Sequence, residues 1–99
     1  MRRVKIHVTQ EHLDKGSSRP GSCPIHYALE DAGFFGIDVG RVGFYDAWRR
    51  CILSDLTPLS AQRFIRANDN YKAQPGWREL PPPKAYHPFN FVLEVADGY

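Results

Sequence analysis

The segment Cys23-Pro24-Ile25-His26-Tyr27-Ala28-Leu29-Glu30-Asp31-Ala32-Gly33 limits the possible fold more than any other stretch of this 99-residue chain. Proline has its backbone dihedral pre-set for a first helical turn, and its missing N–H would be unpaired there in any case, so Pro24 marks a helix start. Ser22 or Cys23 then falls at the N-cap, and Gly33 stands where a left-handed residue closes a helix. Ile25, Ala28, Leu29 and Ala32 recur at i, i+3, i+4 and i+7, which draws one apolar stripe along the helix. A helix with a single apolar face needs a surface to cover it, and the rest of the chain must supply that surface.

The flanking segments supply strands. Val4, Ile6 and Val8 alternate with Arg3, Lys5 and His7, the period of a half-buried strand. Thr9 to Gly16 reads as a turn or two of helix, capped by Thr9 and stopped by Gly16. Residues 16–21 (Gly-Ser-Ser-Arg-Pro-Gly) have no periodicity and read as a flexible loop. Phe35, Ile37 and Val39 give a second alternating segment, weakened by Gly36, Gly40 and Gly43. Arg49–Leu53 alternates as a third strand, forming a hairpin with the second through a turn in Gly43–Trp48; an aromatic helical turn over Tyr45–Arg50 is the competing reading.

Thr57-Pro58 predicts a second main helix, with Thr57 as N-cap and a stripe of Leu59, Ala61, Phe64, Ile65 and then Asn68 or Tyr71, fraying near Asn68-Asp69-Asn70. The prolines at 75, 81–83 and 88 make residues 72–88 an irregular connector with a stiff polyproline piece. Phe89, Phe91, Leu93 and Val95 alternate as a last strand. The order strand, helix, strand, strand, helix, strand predicts a single α+β domain. Its expected form is a four-stranded, mainly antiparallel sheet with two helices on one face, a βαββαβ, ferredoxin-like arrangement.

Composition narrows the function classes. Thirteen Lys and Arg against eleven Asp and Glu give a formal charge of +2, too mild for a dedicated nucleic-acid binder and far from an acidic DNA mimic. No apolar run approaches the ~20 residues of a membrane span, and the basic N-terminus lacks a signal peptide's apolar core, so the expectation is a cytoplasmic protein. Two cysteines, Cys23 and Cys51, make no disulfide framework.

Cys23, at a helix N-terminus three residues before His26, has the elements of an activated thiol, but no orienting third group or oxyanion site accompanies it. Cys23, Cys51, His7, His12, His26 and His87 lack zinc-ligand spacing, and no glycine-rich phosphate loop follows a strand. The expectation is therefore a protein with no enzymatic activity, no metal and no cofactor. Protein binding is the favoured reading. Trp77, Arg78 and Tyr86 on the stiffened connector, with Trp48 and Tyr45 in the hairpin, are the residue types that dominate interface energetics. The alternative is nucleic-acid contact through Arg41, Arg49, Arg50, Arg63 and Arg66 interleaved with aromatic rings.

Val8-Thr9-Gln10-Glu11-His12-Leu13, Cys23-Pro24-Ile25 with Ala28-Leu29, Phe64-Ile65-Arg66-Ala67-Asn68-Asp69 and Pro88-Phe89-Asn90-Phe91-Val92-Leu93-Glu94 together resemble a group of small proteins encoded in bacteriophage and prophage genomes. That resemblance implies a viral accessory protein in the host bacterial cytoplasm. It would act by occupying a host protein or nucleoprotein complex, for example as an anti-CRISPR or other anti-defence inhibitor. The resemblance carries over no catalytic residue, and the connector 77–86 and the aromatic hairpin look longer than the group's pattern.

Overall fold

The computed structural model of the chain describes residues 2–19 and 21–98. The α+β class holds, but the expected single four-stranded sheet with two helices does not. The described residues form three α-helices and two antiparallel sheets, one of two strands and one of three.

The alternating N-terminal segment is strand β1 (Arg2–Val8), and the last alternating segment is β5 (Phe89–Val95). They pair antiparallel from Arg2 opposite Val95 to Val8 opposite Phe89, which puts Ile6 and Val8 on the same buried face as Phe91, Leu93 and Val95.

The three-stranded sheet is where the sequence reading fails. The glycine-containing segment shortens to β2 (Ile37–Val39), because Gly36 takes φ +70° and turns Phe35 outward before the strand begins. The supposed turn contains a strand of its own, β3 (Phe44–Asp46), paired with β2 through the 40–43 loop. The third strand is β4 (Cys51–Ser54), and its partner is β3 rather than β2. The real turn is 47–50. There the Asp46 carboxylate accepts the Arg49 N–H at 2.8 Å and Arg50 sits at φ +55°. A register shift between Phe44 and Tyr45 leaves both Leu53 and Ser54 buried. One backbone hydrogen bond, Ala96 N–H to the Leu53 carbonyl at 2.7 Å, links β4 to the chain just beyond β5. Phe44 meets Phe91 edge-on at 6.3 Å, so the two sheets share one core.

The helices follow their signals closely. Helix α1 (Gln10–Lys15) starts with a reciprocal cap: the Thr9 hydroxyl accepts the His12 N–H, and His12 Nδ1 accepts the Thr9 N–H at 2.9 Å. With Nδ1 so used, Nε2 donates to Asp31, the last residue of α2 (Pro24–Asp31). His12 therefore joins the first two helices while only 3% exposed. Cys23 is the N-cap of α2 and Pro24 its first residue. At the other end Gly33, at φ +94°, gives its N–H to Glu30 and Phe34 gives its own to Leu29, each at 2.9 Å, satisfying two of the last carbonyls.

The 16–21 loop includes Pro20, which lies outside the described residues, and its two flanks meet through Ser17 and Ser22. Ser17 N–H donates to the Ser22 carbonyl at 2.7 Å, and the two serine hydroxyls pair. Helix α3 (Leu59–Lys72) buries Ala61, Phe64, Ile65, Asn68 and Tyr71. Leu59, expected in that stripe, is exposed instead. Thr57 does not cap the helix; its hydroxyl donates to the Gly40 carbonyl at 2.8 Å, and Pro58 is the N-cap. The helix does not fray at Asn68, because the Asn68 amide is tied to the Ser17 carbonyl at 3.0 Å and Tyr71 is buried one turn on.

Candidate interaction surface

The connector folds back on α3. A 3-10 turn (Trp77–Glu79) follows Gly76, and the three prolines lie exposed before the chain returns at Tyr86. The Tyr86 ring stacks on Phe64 at 5.9 Å and meets Tyr71 at 5.0 Å, while its hydroxyl donates to the Leu13 carbonyl. Trp77 lies edge-on to Tyr71 at 5.3 Å, and the Arg78 guanidinium covers the indole at 4.5 Å. Of the five residues proposed for partner contact, Trp77 and Tyr86 thus pack against Tyr71 of α3, and Arg78 covers Trp77. Trp48 and Tyr45 face solvent.

Lys72 ties this region together. Its ammonium donates to the Leu13 and Gly16 carbonyls at 2.9 and 2.7 Å and sits 5.1 and 5.3 Å from the Trp77 and Tyr86 rings. Burial, helped by the nearby Arg78 charge, lowers its pKa to about 8. Between pH 8 and the ordinary lysine value of 10.5, the unfolded chain holds more protons at this site than the folded one, so stability rises with pH. Cys23 acts in the opposite sense: burial raises its thiol from 9.0 to about 11, and stability falls across that interval. Tyr86, raised by burial from 10.0 to about 12, adds to the fall. Urea titrations should therefore show stability climbing from pH 8 to 9 and declining above about 10.5. Lys72→Met should remove the climb; an unchanged climb would place its origin elsewhere.

The same geometry answers the thiol reading. The Ile25 and His26 N–H groups favour the Cys23 thiolate, but burial outweighs them. His26 donates Nδ1–H to the Ile37 carbonyl at 2.8 Å and turns Nε2 to Glu30 at 3.7 Å, so both ring nitrogens face groups other than Cys23. Thr9, His12 and Asp31 have the composition of a proton relay, but the Thr9 N–H takes the Nδ1 lone pair and the ring is enclosed, which makes the group a helix joint. Among the described residues no cluster of His, Cys, Asp and Glu is arranged to hold a metal ion, and no helix is long and apolar enough to cross a membrane.

What stands open to solvent is an aromatic shelf. Trp48, in the 47–50 turn, is 73% exposed, and Phe35 is 50% exposed. Their rings are nearly parallel, 6° apart in plane, with centroids separated by 6.4 Å. A Cβ built on Gly36 would fall 2.5, 2.6 and 2.8 Å from Trp48 Cδ2, Cγ and Cδ1. Near-equal distances to three adjoining ring atoms place that point over the ring face, so the indole lies flat on the Gly36 backbone. One face of Trp48 is thereby seated, and the other is left outward. A groove of about 370 Å³ beside the shelf is lined by Arg2, Gly33, Phe34, Asp46 and Arg49.

The five arginines proposed for nucleic-acid contact do not converge. Arg41 is paired with Asp69 at 3.7 Å, and Arg63 and Arg66 line a separate groove along α3. Arg49 and Arg50 follow Trp48 in its turn, and Arg2 and Arg49 line the groove beside it. Sequence reasoning found Trp48 but missed Phe35, which it assigned to a strand by alternation, and Arg2. The available signal was Phe35-Gly36 itself, a glycine where a positive φ breaks the alternation. No protein-family model, curated protein or solved structure matches the chain.

Proposed function

We propose that this is a non-enzymatic binding protein, and that the Phe35–Trp48 shelf is its contact surface. The observation that carries the reading is the outward indole held flat by Gly36. A large ring already immobilised loses little entropy on binding, and tryptophan and arginine are the residue types whose truncation most weakens interfaces. The likeness of its motifs to small phage proteins makes a host protein or nucleoprotein complex in the bacterial cytoplasm the class of partner, and an anti-CRISPR or related anti-defence inhibitor the role.

The test is affinity capture from bacterial lysate with wild-type protein and Trp48→Ala, each checked for native circular dichroism. At a binding hot spot the alanine variant should lose about 30-fold or more in partner affinity. Identical capture by the two proteins would remove the shelf from the interface. Cells that carry a CRISPR system and express the protein should regain susceptibility to a targeted phage. Undiminished immunity would exclude that anti-CRISPR role and leave capture to report on other partners.

A further inference from the structure

We propose that the cavity between the start of α2, the end of β2 and α3 binds a small carboxylate that carries a hydroxyl or amino donor at its opposite end. This cavity shares no lining residue with the groove beside the shelf, so it is a second site. The observation that carries it is Asn68. The residue is 1% exposed, and its Nδ2 donates to the Ser17 carbonyl at 3.0 Å, which fixes the orientation of the amide. Among the described residues, Asn68 Oδ1 is the one buried side-chain polar atom with no hydrogen-bond partner. A buried acceptor left unpaired is costly and rare. Asn68 lines a cavity of about 200 Å³, from which a guest can supply the missing donor.

The walls set the body of that guest. Cys23, Val39, Phe64 and Ile65 line the cavity and are all buried, and burial keeps the Cys23 thiol protonated. Such walls suit a hydrocarbon or aromatic body with few polar groups. A cavity of about 150 Å³ accommodates benzene, so this one has room for a ring with small substituents. The rim sets the charge. It carries the exposed Arg19 and Arg41 against the half-buried Asp69, two guanidinium groups to one carboxylate. Arg41 Nη2 stands 3.7 Å from Asp69 Oδ2, beyond hydrogen-bond range, and a guanidinium fork takes a carboxylate through two parallel N–H bonds. A singly charged anion therefore balances the rim while its far end reaches Asn68.

The probe is para-hydroxybenzoate, with its phenol toward Asn68 and its carboxylate at the rim. In proton–nitrogen correlation spectra it should shift the Asn68 side-chain amide and the backbone amides of Ser18, Cys23 and Arg41 saturably. Benzoate keeps the ring and the charge but lacks the donor. It should bind about tenfold more weakly, because Asn68 Oδ1 is then enclosed without a partner. Arg41→Gln, at an exposed position, should weaken the probe about fivefold or more and reduce the dependence on salt. Asn68→Ala should abolish the preference for the phenol. Where that variant fails to fold, benzoate and Arg41→Gln decide the matter, since neither disturbs the tie from Asn68 to Ser17. Three results would overturn the assignment. One is no saturable shift at roughly 20 mM probe, above the dissociation constant expected of even an inefficient ligand of this size. Another is equal affinity for benzoate and para-hydroxybenzoate. The third is a crystal structure of the soaked protein in which an ordered water occupies Asn68 Oδ1 and the cavity holds no probe.

Discussion

Truncating Phe44 to alanine should lower the free energy of unfolding by about 3–5 kcal/mol, the range for removing a buried phenylalanine. Phe44 is 1% exposed, belongs to the three-stranded sheet, and meets Phe91 of the two-stranded sheet edge to face. Among the described residues one backbone hydrogen bond joins β4 to the chain just beyond β5, and side-chain contacts such as Phe44 on Phe91 join the two sheets in one core. A chain of this length has about 5–15 kcal/mol in total, so the variant approaches the limit of folding. Urea unfolding followed by circular dichroism measures the loss. Tyr45→Ala, one residue on and facing solvent, should change stability by no more than about 0.5 kcal/mol. A loss below about 1 kcal/mol for Phe44→Ala would mean that Phe44 is not a bridge between the sheets.

Gly16→Ala should cost about 1–3 kcal/mol through overpacking rather than backbone strain. Gly16 has φ −75°, which any residue adopts, but a Cβ there would fall 2.5 Å from both the backbone N and Cδ of Pro24. Neither atom is the end of a flexible side chain. The end of α1 must move away from the start of α2, disturbing the Lys72 contact to the Gly16 carbonyl and the Ser17–Ser22 closure. Gly21→Ala is the control, since its Cβ would meet only Asp38 Oδ1 at an ordinary 3.7 Å. Equal stability of the two variants in thermal denaturation would show that α1 and α2 are not locked at this point.

The parts of the fold legible in the sequence are those where one residue type has one structural use. Pro24 at a helix start, Gly33 at a helix end, and the alternation of Val4-Ile6-Val8 and Phe91-Leu93-Val95 correspond to elements observed at those positions. Strand β3 was not legible, because its closing turn, Asp46-Ala47-Trp48-Arg49-Arg50, has no glycine or asparagine. Arg50 takes the left-handed position, and the Asp46 carboxylate stabilises the turn instead. The missing strand led to the single-sheet expectation. Periodicity places His12 in a helical turn, but its two ring nitrogens act on partners at different sequence distances, which no periodicity displays.

The candidate site was half legible. Residue type drew attention to Trp48 and Tyr45, and equally to Trp77 and Tyr86. Which rings face inward depends on the connector's path back over Phe64 and Tyr71, a tertiary outcome. The shelf itself depends on Gly36, twelve positions before Trp48, bringing a bare stretch of backbone under an indole.

The pairing of β1 with β5 has a consequence for how the molecule comes into being. His7 and Asn90 face each other across 83 positions of sequence, and closing a chain loop of that length costs roughly 4 kcal/mol beyond a constant term. During synthesis the apolar face of Ile6 and Val8 has no hydrogen-bonding neighbour until Phe89–Val95 has left the ribosome. Pairing of the first strand therefore waits until Phe89–Val95 has been made, and until then its edge is open to pairing with other chains.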